Sequence, residues 1–175
     1  MEIFSKQSLR RPMTDVLTER GTYSAMDAAV KTARQLYADA QLLFANGRWP
    51  RAAALAVLCL EEVGKVRLLP RIHDAGDEQA RRKAWEDYRN HPLKSSQSAV
   101  PGQANNDEHR RQLSLRFGRE LDQLKQFGFY SNWLASGAWV RPDEVVTQRD
   151  AELMVTWAGV MVEQLQGWEA VQRPS

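Results

Sequence analysis

The chain is 175 residues long and has one cysteine, Cys59, too few for an internal disulfide or a cysteine-built metal cluster. That usage fits a reducing compartment. Long apolar runs are also missing. The run from Ala52 to Leu60 is nine residues, against the roughly 20 that span a bilayer. The N-terminus has no apolar stretch of the kind a secretory signal needs, so the cytoplasm is the expected location. An excess of one charge is lacking too: 24 basic against 22 acidic residues leave a net +2, too little to announce nucleic-acid binding by itself. There is no glycine-rich phosphate loop, no G-x-S-x-G and no cysteine–histidine pair in an activating context, which leaves recognised nucleotide hydrolysis and acyl transfer without support. Internal repeats, low-complexity tracts and convincing strands are absent as well.

What remains is an ordinary globular composition, 43% apolar and 26% charged. The length suits one domain that buries about 70% of its unfolded surface. Eighteen of the basic residues are arginine and six are lysine, a skew that suits bidentate contacts to phosphate or carboxylate.

The stretch from Pro50 to Leu69 organises the rest. A helix apolar all round belongs in the middle of a bundle. Its alanines admit neighbours closely, while Leu55, Leu58 and Leu60 supply volume. Glu61, Glu62 and Lys65 follow directly. With the core face running through Leu55, Leu58, Cys59, Val66 and Leu69, helical spacing puts Glu62 on that face and Lys65 at its edge. Glu61 and Lys65 form an i,i+4 pair in the favourable order. A half-buried carboxylate is costly without a donor, so a polar partner is expected elsewhere in the chain.

Residues 1–23 read as an irregular arm with a short helix near Thr14–Glu19, and residues 24–170 as a single helical domain. Ser24 is expected to cap the first helix, with Met26, Ala29, Val30, Ala33, Leu36, Tyr37, Ala40, Leu43 and Phe44 at helical steps. Asn46-Gly47 ends that helix, and Pro50 suits the first turn of the next. Past Leu69 the pattern loosens through Pro70. A third helix from about Asp77 stops or kinks at Asn90-His91, because Pro92 disfavours helical backbone just before it. If a helical turn resumes there, His91 and Lys94 share a side. Residues 95–107 read as a loop. A fourth helix spans about Glu108 to Gln126 with Leu113, Phe117, Leu121 and Leu124 on one stripe. An aromatic segment, F-G-F-Y-S-N-W-L-A-S-G-A-W-V-R-P, follows. Thr147 and Asp150 form a capping box for the last helix, which carries Leu153, Met154, Trp157, Val160, Met161, Leu165 and Trp168. The fold class is therefore all-α, a bundle of five helices.

Among three histidines, His73 and His109 lie in polar surroundings and read as solvated. His91 stands beside Pro92 with Lys94 one turn on. It is either a helix-end residue bonded to a backbone carbonyl or a proton-transfer group, since histidine titrates near neutrality. A di-iron bundle needs Glu-x-x-His on two helices. Here Gly64 and Lys65 follow the glutamates, so no metal and no cofactor are expected. The constellation of Glu61, Glu62, Lys65, His91 and Lys94 has two readings. It is a buried salt-bridge network, or it is a site for phosphodiester cleavage with His91 moving the proton and the cations stabilising phosphate charge.

The order A-A-A-L-A-V-L-C-L-E-E-V-G-K, then Y-R-N-H-P-L-K, then L-K-Q-F-G-F-Y-S-N-W and W-V-R-P resembles the AbiV family of phage abortive-infection proteins over roughly residues 25–165. Glu61, Glu62, Gly64, Lys65, His91, Lys94, Gly128 and Tyr130 occupy that family's motif positions. The resemblance implies a HEPN-like helical domain, a homodimer, and a phage or host protein or RNA as partner, with no membrane. It implies growth or translation arrest on infection, by metal-independent RNA cleavage or by non-catalytic sequestration of a host or phage protein. On the enzymatic reading His91 is the acid/base, Lys65 and Lys94 are phosphate ligands and Glu62 is the orienting carboxylate. Glu61, Arg67 and Tyr130 are the accompanying binding residues. Arg67-x5-His73 matches the HEPN nuclease spacing, but Pro70 interrupts it and no polar residue follows Arg67, so it is not read as the catalytic signature.

Overall fold

The first helix starts five residues ahead of Ser24. In the computed structural model, which describes residues 15–97 and 107–165, α1 runs Glu19–Ala45. Thr18, in extended backbone, is its cap, and the hydroxyl accepts from the Gly21 amide at 3.1 Å. Residues 15–18 are not helical, so the short helix near Thr14–Glu19 and the Ser24 cap are both corrected. Serine and threonine both cap helices, serine somewhat the better. The buried Thr22 extends the inward face of α1 one turn back, and that selects the earlier residue. The arm before residue 15, the segment 98–106, the side chain of His109 and Trp168 lie outside the described residues.

A tight turn through Asn46 and Gly47, the latter at φ 70°, joins α1 to α2, Trp49–His73. α2 runs one turn further than the loosening at Pro70 suggests. Proline costs a helix one backbone hydrogen bond, but Leu68, Leu69 and Ile72 on either side are buried, and their packing carries the helix through. α3, Glu78–Arg89, starts at the Asp77 cap. α4 is a short helix, His91–Ser96, so Ser95 and Ser96 are helical where the sequence reads as a loop. α5, Asp107–Phe129, continues three residues beyond Gln126. Two strands then form a small antiparallel hairpin, β1 Asn132–Trp133 and β2 Trp139–Val140, with Trp133 opposite Trp139. These strands, too short to give an alternating pattern, correct the expectation of none. α6, Pro142–Val145, and α7, Gln148–Gln164, complete the order. The Thr147–Asp150 capping box is present, with the Asp150 amide 3.2 Å from the threonine hydroxyl.

The architecture is all-α: among the described residues there are five long helices, with two short ones and the hairpin in the connections. α2 is the axis, touching α1, α3, α4, α5 and α7. Ala52, Ala53, Ala54 and Ala56 are wholly buried, and the small side chains let neighbouring helices crowd around α2. The outer stripes are less regular than expected. Leu113 of α5 and Leu153 and Val160 of α7 are exposed, while Leu121, Met154 and Met161 hold the inner face. Among the described residues no helix is long and apolar enough to cross a membrane.

Candidate functional site

Because α2 is apolar on nearly every side, hydropathy does not reveal which of its two glutamates turns inward. The structure buries Glu61, 2% exposed, and leaves Glu62 at the rim with Lys65. This reverses the expectation. Leu55, Leu58, Glu62 and Lys65 do share a stripe at helical spacing, but it is the least covered side of α2. The pairing changes with it: Lys65 meets Glu62 at 2.5 Å, one turn back, instead of Glu61.

α4 brings the partner. Asn90 closes α3 and caps α4, its side chain accepting from the Leu93 amide at 3.0 Å. Helix therefore resumes at His91, and His91 and Lys94 fall one turn apart. α4 can reach α2 because Gly64 has no side chain. A Cβ there would overlap the Lys94 carbonyl. On its other side α4 meets α5 at Gly118, where a Cβ would overlap the Pro92 carbonyl.

Around Glu61 the groups converge. His91 Nδ1 lies 2.6 Å from Glu61 Oε2. Lys125 Nζ donates to Glu61 Oε1 at 2.5 Å and reaches Asp122 at 2.7 Å. Lys94 Nζ stands 3.6 Å from Oε2, a charge contact too long for a good hydrogen bond. The His91 side chain is 55% exposed whereas those of Glu61, Lys94 and Lys125 are buried. The histidine thus joins a buried carboxylate to solvent. Its partner is a side chain, not the backbone carbonyl of the plainer expectation.

The electrostatics follow from burial and pairing. Burial lowers the Lys94 amine below the usual lysine range, and Lys65 adds to this, although Glu61 opposes it. Burial presses on Lys125 in the same way, but its bonds to Asp122 and Glu61 outweigh that and raise it. Tyr88, over whose ring Lys65 stands at 6.0 Å, is raised chiefly by burial, with Lys65 opposing. The Cys59 thiol, one turn before Glu62, is pushed up to about 12 by burial and by that carboxylate.

Of the residues singled out in the sequence, the fold brings together Glu61, Glu62, Lys65, His91 and Lys94. Arg67 is elsewhere, donating to the Gln97 carbonyl, with Arg71 on the Gln97 side chain. His73 holds the Leu17 carbonyl at 2.9 Å, so it is not merely solvated, and it does not meet Arg67. Tyr130 sits past the end of α5, exposed, with its ring beside Phe129. Sequence reasoning missed Lys125 and Asp122. The signal was there: Leu121, Lys125 and Gly128 are one buried stripe of α5, and a lysine on such a stripe needs an acid. Among the described residues no group of three or more histidine, cysteine, aspartate or glutamate side chains is placed to hold a metal.

No match to this chain was found among curated proteins or solved structures. A family model for the HEPN domain of AbiV matches residues 23–163. That stretch runs from the first turns of α1 to the last turn of α7 and contains the whole Glu61 group. The chain belongs to the AbiV family of HEPN domains.

Proposed function

We propose that this protein acts in phage defence by abortive infection, as its family membership suggests, and that it does so by cleaving RNA without a metal. The observation that carries the chemistry is the 2.6 Å contact between His91 and the buried Glu61. An ionised carboxylate only accepts hydrogen bonds, so Nδ1 bears the proton and Nε2 is left with the lone pair. On this reading Nε2 takes the proton of a ribose 2′-hydroxyl as its oxygen attacks the adjacent phosphorus. The bond to the 5′-oxygen breaks, that oxygen is protonated from solvent, and a cyclic phosphate remains. Glu61, rather than Glu62, is the carboxylate that orients the imidazole and stabilises its charged form. Lys65, at the rim, is the ammonium suited to touch phosphate, while buried Lys94 contributes positive potential. A homodimer is part of the same proposal.

The test compares wild type with His91→Ala during phage challenge, followed by inspection of cellular RNA. The expected outcome is loss of protection and of cleavage products from a variant that still folds. Protection that survives His91→Ala would instead favour a binding module that sequesters a host or phage protein. The observation behind that second reading is the exposed aromatic edge of Tyr130, Trp133 and Trp139, the last 69% exposed, with the two tryptophans packed edge to face.

A further inference from the structure

Lys125 has no part in the chemistry just described, yet it is buried and paired with two carboxylates, Glu61 at 2.5 Å and Asp122 at 2.7 Å. Removing Lys125 alone would leave Glu61 short of a partner, but replacing a whole buried ion cluster by apolar side chains of the same volume is often neutral or stabilising. The cluster, Lys125 included, therefore calls for a reason beyond stability.

The geometry supplies one. Glu61 has two oxygens and three polar neighbours, two lysines and a histidine. Oε2 is shared by His91 at 2.6 Å and Lys94 at 3.6 Å, and Oε1 belongs to Lys125 at 2.5 Å. Rotation about the terminal carboxylate torsion is soft. Without an anchor on Oε1 the carboxylate is free to turn toward the ammonium of Lys94 and leave His91. Lys125 is in turn fixed from its own helix, through Asp122 one turn earlier at 2.7 Å. The anchor thus comes from α5, while the histidine comes from α4.

We infer that Lys125, held by Asp122, is a positioning residue that pins Oε1 of Glu61 so that Oε2 receives the Nδ1 proton of His91 and Nε2 faces the substrate. This rests on His91 being the proton-transfer group, but its geometry can be read without any substrate. The charged and titratable groups around the pair are Glu61, Glu62 and Lys65 on α2, Tyr88 on α3, Lys94 on α4, and Asp122 and Lys125 on α5.

The tautomer of His91 is the readout, from ring nitrogen shifts of the full-length protein labelled at histidine. His91→Gln assigns the signal among the three histidines. When neutral, the wild-type ring should be almost wholly the Nδ1–H form. Lys125→Met should lower the ratio of Nδ1–H to Nε2–H several-fold, and Lys125→Arg should restore it. Asp122→Asn, at a partly exposed position, should lower it less. A folded Lys125→Met protein with the wild-type tautomer would overturn the inference. If that variant does not fold, an unchanged tautomer in Asp122→Asn overturns it equally. The two proposals fail separately: RNA cleavage that survives His91→Ala removes the nuclease reading, whereas an unmoved tautomer removes the role of Lys125.

Discussion

At Glu61, two buried lysines and a histidine surround the two oxygens of a buried carboxylate. Such a charge is tolerable only while its partners remain, because each was desolvated in the expectation of the others. Glu61→Ala leaves Lys94 and Lys125 buried with too little negative charge, so it should destabilise the fold by about 3–5 kcal/mol. Glu62 pairs with Lys65 at the rim, and Glu62→Ala should cost about 1 kcal/mol or less. Urea denaturation of the two variants measures the difference, and equal costs would contradict the assignment of Glu61 as the inner residue. That a carboxylate here needs a polar partner from elsewhere in the chain was readable from sequence. Which glutamate it is was not, since the two are adjacent on a helix that is apolar all round.

A six-residue helix has no stability of its own, so α4 exists because α2 and α5 hold it. Asn90 starts it, and the missing side chains of Gly64 and Gly118 let its backbone lie directly on both neighbours. The G in E-E-V-G-K is thus a packing device that places His91 and Lys94 beside Glu61. Gly64→Ala should push α4 away, cost at least about 2 kcal/mol through overpacking, and part His91 from Glu61. Amide exchange would report it: the α4 amides should lose protection in this variant while those of α1 keep theirs. Unchanged α4 protection would show that the close approach is not what positions the helix. The stop at Asn90-His91 and, given a further turn of helix, the sharing of one side by His91 and Lys94 were legible beforehand. The wedge was not, because a glycine in a helix does not say what lies against it.

Across the whole molecule, buried titrating groups make alkaline stability informative. The folded thiol of Cys59 keeps its proton until about 12, whereas the unfolded one releases it near 9.0. Between those values the unfolded chain binds fewer protons, so stability falls as pH rises. Tyr88 and Lys125, also raised, act in the same direction, from 10.0 and 10.5 upward. Lys94, lowered, acts oppositely. Between pH 9 and 10 the wild type should lose about 1 kcal/mol more stability than Cys59→Ala. Matched denaturant titrations at the two pH values test this, and parallel losses would mean the thiol is not so deeply enclosed. The helical class, the central place of α2, the Thr147 cap and the family were determined by the sequence alone, because they rest on local periodicity, capping chemistry and ordered motifs. The inward turn of Glu61, the arrival of Lys125 from 64 residues away and the separation of Arg67 from His73 were decided only by tertiary packing. Which faces of an all-apolar helix its neighbours cover is encoded by no local pattern, and the stripe of α5 that turns Lys125 inward does not say which acid it meets.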